Sequence, residues 1–182
     1  MVMNSLAMKS FVLRRSAGAL ILAMVALTGC AGENIAPKAE PSFYRDLAAP
    51  GAQLDTAAAA SMITGYRANN SLPAVTLDPE LTRLAQAQAE IMAKRDKLDH
   101  NAGKPFVARL KASGYDAKSA AENISAGYHT LAEAFSGWRD SPPHRANMLN
   151  AGANRLGIAA VYAPQSKYKV YWALIMATKD SG

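Results

Sequence analysis

Apolar positions recur at helical spacing through the middle of this chain and become near-continuous runs toward its end. Asp55 can cap a helix in which Ala59, Met62, Ile63 and Tyr66 share one face and which fades near Asn69-Asn70. A short apolar link, Leu72-Pro73-Ala74-Val75, leads to the clearest helix start. There Asp78 can accept from the orphan amides, and Pro79 takes the first helical position, where its missing N–H costs nothing. Leu81, Leu84, Ala85, Gln88, Ile91 and Met92 continue as a stripe with one polar member, Gln88. Asp99-His100-Asn101 reads as a turn, and residues 105–112 as a short helix with Phe106, Leu110 and Val107 facing inward and Gly114 as its stop. Residues 120–126 form a buried strand or an extended segment. Thr130 and Glu133 fit a capping box ahead of a helix whose inner face is Leu131, Ala134, Phe135 and Trp138. Ser141-Pro142-Pro143 restarts the chain as a short helix reaching Leu149. Residues 156–162 and 168–177 are strand-like, with Pro164-Gln165-Ser166-Lys167 as the hairpin between them. Helices first and an antiparallel pair last predict an α+β chain or an α/β/α layer arrangement, without internal repeats.

The N-terminal segment has a different character. Lys9, Arg14 and Arg15 precede an uncharged apolar run, 17–27, which ends in Leu27-Thr28-Gly29-Cys30 at the chain's single cysteine. A basic start, a short apolar core and a small-residue exit make a secretory signal, too short for a membrane span. Leu-Thr-Gly-Cys resembles the lipobox of bacterial lipoproteins. That resemblance implies cleavage before Cys30 and acylation of Cys30 by fatty acids such as palmitate, anchoring the protein to a membrane. Residues 1–29 would then be the signal, 30–54 a lipidated tether with Pro37, Pro41 and Pro50, and 55–180 the folded domain. Phe43, Tyr44 and Leu47 could let part of the tether lie against that domain. Ala31 stands where an Asp would mark inner-membrane retention, so the expected address is the outer membrane of the cell envelope, facing the periplasm.

Composition narrows the chemistry. The net charge of +6 includes three signal-segment cations, so the exported part keeps only a modest positive balance. That suits anionic lipid or envelope polymers. No basic stripe interleaved with aromatics points to nucleic acid. With Cys30 acylated no thiol remains, which excludes disulfides, a catalytic thiol and cysteine-held metal.

Three histidines remain. His129 precedes a helix cap and is expected on the surface. His100 ends the long helix and His144 opens a short one. Between them Glu122 sits in the apolar segment Ala121-Glu122-Asn123-Ile124. A buried carboxylate needs a cation, a donor cluster or a metal, and His100 and His144 are the candidate donors. The bland alternative is three separate polar residues, each satisfied by backbone. Arg145 could bind an anion or merely face solvent. Trp138, Phe135, Trp172 and Tyr171 are core or cleft wall. Gly157 would allow close approach of a neighbouring element.

Phe135-Ser136-Gly137-Trp138, the run Ser141-Pro142-Pro143-His144-Arg145-Ala146-Asn147-Met148-Leu149, and Ala121-Glu122-Asn123-Ile124 together resemble the CAP superfamily, or SCP domain, in its bacterial branch. The resemblance implies a three-layer α/β/α sandwich with a small, mainly antiparallel central sheet and an open cleft. It implies that His100, Glu122 and His144 face that cleft, where some members bind a divalent metal such as zinc. Asp140 and Ser141 stand where eukaryotic members carry a second glutamate, and Tyr171, followed by Trp172, where they carry a late-strand histidine. With Arg145 these make a secondary cleft set. The implied function is a lipid-anchored envelope binding module for an apolar ligand or envelope polymer. Two alternatives stay open: a metal-dependent hydrolase using His100, Glu122 and His144, and a purely structural envelope protein.

Overall fold

A computed structural model describes residues 40–179. The signal segment, Cys30 and the start of the tether lie outside the described residues. A short 3-10 helix, Ser42–Tyr44, precedes α1 (Thr56–Ala68), β1 (Thr76–Leu77), α2 (Pro79–Arg95), α3 (Phe106–Ala112), β2 (Ser119–Ala126), α4 (Leu131–Asp140), α5 (Pro142–Met148), β3 (Arg155–Ala163) and β4 (Lys169–Thr178). The helix starts form as their caps dictate. Asp55 accepts from the amide of Ala58, Asp78 from those of Glu80 and Leu81, and Thr130 and Glu133 close a reciprocal capping box.

The strands make one sheet in the order β1-β3-β4-β2. β3 and β4 are the expected hairpin, and β2 runs antiparallel to the other side of β4. The added element is β1, a two-residue parallel bridge to Arg155 and Leu156. So short a strand has no period to read in sequence.

β4 is central and buried along nearly its whole length, and its side chains alternate between two cores. Val170, Trp172, Leu174 and Met176 pack with α1, α4 and α5. Tyr171, Ala173, Ile175 and Ala177 pack with α2 and α3. The result is the three-layer sandwich. Gly157 on β3 admits α2: a Cβ there would collide with the backbone of Leu81 and Thr82.

Two local expectations change. Val107 is 74% exposed, because a two-turn helix has room to bury only the side marked by Phe106, Leu110 and Arg109. Leu47 is 4% exposed in the core under α1 and α4, with Phe43 packed beside it, so this stretch ahead of Asp55 lies against the domain as expected. His129 is half-buried: its carbonyl accepts from the Leu47 amide at 2.8 Å as that segment crosses it.

Candidate functional site

Glu122 projects from β2 toward α2 and α3, on the same strand face as Ile124. Its side chain is 1% exposed. Two donors hold it. His100 Nδ1–H donates to Oε1 at 2.9 Å, and Arg109 Nη2 donates to Oε2 at 2.7 Å. Arg109 is itself nearly buried, stacks over the Phe106 ring at 5.3 Å, and donates from Nε to the Lys104 carbonyl at 3.1 Å. Both carboxylate oxygens are therefore engaged, one by a permanent cation.

The turn that carries His100 is fixed from below. Gln88, the polar member of the α2 stripe, is fully buried and donates from Nε2 to the Asp99 carbonyl at 2.8 Å. The Asp99 carboxylate accepts from the Asn101 amide at 2.9 Å, closing the turn. Hydrogen bonds to that amide and to Lys97 hold the Asp99 carboxyl below its ordinary range. The His100 ring stays half-exposed, with Nδ1 committed to Glu122.

His144 arrives from the opposite layer. Asn123, one residue on from Glu122, points to the other face of β2 and donates from Nδ2 to the His144 carbonyl at 2.9 Å. Asn147 Nδ2 donates to Asn123 Oδ1 at 2.8 Å. These amides clamp α5 onto the strand. β2 is an edge strand, so the two histidines meet at its open side. They share a hollow of about 360 Å³ lined by Leu98, Asp99, His100, Asn101, Ile124 and His144. Burial, and secondarily the neighbouring His100, push the His144 pKa below its ordinary value, which favours the neutral ring at pH 7.

His100 and Glu122 thus meet as expected, and His144 joins their hollow. His144 is not a donor to Glu122, however; Arg109 takes that role. The physical reason is layering. α5 packs on the face of β2 opposite Glu122, while α3 packs on the face Glu122 uses. Arg109 carried no local motif. Its only signal was a long cation near the inner side of a short helix.

The secondary set lies elsewhere. Tyr171 pairs with Ala126 and Glu122 with Ile175, four residues apart along the ladder, or about 13 Å at ~3.3 Å per residue. Tyr171 instead donates from its hydroxyl to Asp96 Oδ1 at 2.7 Å, beside Ser166, and is buried. Trp172 faces the other core, edge-on to Trp138, with its Nε1 donating to the Tyr128 carbonyl at 2.8 Å. Asp140 pairs with Arg139 on the surface. Ser141 joins α4 to α5 without a side-chain cap bond, and Arg145 is exposed.

The donor set, as arranged, does not fit a divalent ion. Both oxygens of Glu122 are taken, and the Arg109 guanidinium stands where a metal would need the carboxylate to itself. Among the described residues no three His, Cys, Asp or Glu side chains converge as a metal-holding group. The hollow's lining also lacks a hydroxyl or thiol nucleophile. What it offers is two imidazoles, with Asp99 and Asn101 beside them, set between apolar Leu98 and Ile124.

Residues 60–176 match the model of the cysteine-rich secretory protein family, CAP. Over 98 residues the chain is 32% identical to YkwD, an uncharacterized protein of Bacillus subtilis strain 168; the match covers 52% of this chain and 38% of that one, so the chain spans well under half of that relative's length. Among solved structures it is similar to an extracellular SCP-domain protein of Bacillus anthracis (TM-score 0.60, 22% identity, 68% of this chain and 40% of that one). It is equally similar to an outer surface protein of Borrelia burgdorferi (TM-score 0.60, 18% identity, 71% and 99%). A cysteine-rich secretory protein of Staphylococcus aureus follows (TM-score 0.55, 17% identity, 68% and 38%). These relatives are named as extracellular, outer-surface or secretory proteins, and no helix among the described residues is long and apolar enough to cross a membrane. The family match, together with the sandwich and the shared fold, establishes that this chain belongs to the CAP family.

Proposed function

We propose that this CAP protein is an exported, lipid-anchored binding module of the cell envelope, whose ligand enters the His100/His144 hollow. One observation carries the reading. Glu122 has both oxygens held by His100 and Arg109, so it positions the walls of the hollow and neither oxygen is free to ligate a metal. The lining pairs the polar groups of Asp99, His100, Asn101 and His144 with the apolar side chains of Leu98 and Ile124, which suits a partly apolar envelope lipid or polymer segment that carries hydrogen-bond donors. The Leu27-Thr28-Gly29-Cys30 sequence supports acylation at Cys30, and the naming of the similar structures supports an address outside the cytoplasm. Two or three acyl chains, at about 0.8 kcal/mol per buried CH₂, suffice for stable attachment to the proposed outer membrane.

The test isolates the protein from its host membrane and measures metal content, co-purifying lipids by mass spectrometry, and turnover of peptide and ester substrates. The expected result is a retained ligand, lost in His144→Ala, with no turnover. Cys30→Ala should abolish palmitate labelling and membrane partition. Stoichiometric zinc that disappears in His100→Ala, or turnover abolished by Glu122→Ala, would replace this reading with a metal-dependent hydrolase. Failure of every ligand arm, with Glu122→Gln lowering only stability, would leave a structural envelope protein.

A further inference from the structure

A second surface lies at the other end of the sheet from the histidine hollow. β1 covers β3 only at Arg155 and Leu156, after which the chain turns away into α2. β3 continues to Ala163, so most of its outer edge has no neighbouring strand. The direction of its main-chain groups follows from one bond. The Asp78 amide donates to the Leu156 carbonyl at 2.8 Å, so Leu156 turns its N–H and C=O away from β4. By strand alternation Ile158, Ala160 and Tyr162 do the same. Among the described residues no hydrogen bond to these outward groups is found.

This edge is the floor of a trough of about 400 Å³. One wall is Ala52 and Leu54, which pack against the core under α1. The other is Thr82 and Gln86 of α2, from the opposite layer. Ile158 is fully buried, so the sheet edge is open along its hydrogen-bonding direction at Ala160 and Tyr162, which are half-buried, and it is fenced above and below.

We propose that this trough receives an extended peptide segment of a partner protein, which adds to the sheet as a strand beside β3. Three features select that occupant. Donor–acceptor pairs repeating at every second residue complement an extended backbone. The two walls come from opposite layers and flank the edge on both sides, as they would an added strand. The walls also set the side chains: an added strand alternates between the layers, so it meets Ala52 and Leu54 on one side and Thr82 and Gln86 on the other. None of these is charged, so the fitting segment is uncharged, apolar on one face and hydroxyl- or amide-bearing on the other. β1 and the burial of Ile158 close the start of the edge, so pairing is confined to 160–163 and the segment is short. The surface is separate from the His100 hollow, and its occupancy does not depend on the ligand proposed there.

The experiment measures amide hydrogen exchange by NMR on the full chain in detergent micelles. The probe is a capped hexapeptide of alternating threonine and valine; the control is the same peptide N-methylated at every second residue. In the free protein the amides of Ala160 and Tyr162 should exchange faster than those of Ala159 and Val161, which pair with Ala173 and Tyr171 of β4. The peptide should slow these two outward amides by at least about tenfold, and the methylated control should not. Ala160→Pro removes one outward N–H and no β3–β4 bond, so it should keep the thermal midpoint and lose the response. Should that variant unfold, Gln86→Trp, which fills the trough from α2, should also lose it. No slowing at saturating peptide would overturn the proposal. So would equal slowing by the methylated control, or the amides of Ala160 and Tyr162 already protected in the free protein.

Discussion

Replacing Arg109 with methionine tests the centre of the site, because it keeps most of the side chain's apolar stem and removes the guanidinium. In the native protein the Glu122 side chain is 1% exposed and Arg109 12%, at 2.7 Å. Methionine leaves Glu122 with His100 alone, and that ring is 48% exposed. Breaking a buried pair from one side costs about 3–5 kcal/mol, since the remaining charge loses its partner but not its burial. The His100 Nδ1–H bond remains and offsets about 1 kcal/mol of this, as a hydrogen bond near the surface does. The expected loss is therefore about 2–4 kcal/mol. At roughly 2–4 °C per kcal/mol for a domain near this size, the melting temperature should fall by about 4–16 °C.

Urea denaturation of four proteins, wild type, Arg109→Met, Glu122→Gln and the double variant, makes the argument quantitative. Each single change strands one partner, and the double change strands neither. The double variant should therefore be less destabilised than the sum of the singles, by about 2–3 kcal/mol of coupling. The cycle also separates the two accounts of the site. If the guanidinium is the cation that Glu122 requires, adding zinc should not restore Arg109→Met. Additive single effects, or an Arg109→Met cost below about 1 kcal/mol, would show that Glu122 is not held by this pair and would remove the basis for the locked-carboxylate reading.

The remaining predictions concern pH and packing. The pKa of His144 is held below its ordinary value in the folded state by burial and by His100, so below about pH 6.5 the unfolded chain binds its proton more readily. This contribution should be fully present above that pH and be lost as pH falls toward the folded-state value. His144→Leu should flatten that part of a stability-versus-pH curve measured by urea titration; an unchanged slope would contradict it. Gly157→Ala places a methyl against the Leu81 and Thr82 backbone and should cost about 3 kcal/mol or prevent folding, because backbone cannot give way as a side chain tip can. A thermal midpoint within about 1 °C of wild type would contradict the close approach of α2 to β3.

The elements read most clearly from sequence were those with a local cause. Asp78-Pro79, the Thr130–Glu133 box and the two apolar runs at the end each specify their structure within a few residues, and each formed where expected. β1 was not legible in the same way, and for Leu47 the contact with the domain could be read but not its depth. β1 exists because the loop after α1 passes the start of β3, and Leu47 is buried because a segment without periodicity crosses the α1–α4 face. Neither fact is local.

The site divides along the same line. His100 and Glu122 could be paired in advance because a carboxylate in an apolar strand demands a partner and few donors were available. The demand was legible; the identity of the second donor was not. Which donor meets Glu122 depends on which helix covers that face of β2, a question of strand parity and layer. Asn123 and Glu122 are adjacent in sequence, yet one clamps α5 through the His144 carbonyl and the other is clamped by α3. A motif that reads as one unit along the chain is split by the strand into two opposite duties. Asn123 and Asn147 set where His144 stands; Arg109 and Gln88 set where Glu122 and His100 stand. The hollow persists only while both halves grip β2. A variant such as Asn147→Ala therefore acts on His144 without touching the carboxylate, while Arg109→Met acts on the carboxylate without touching α5.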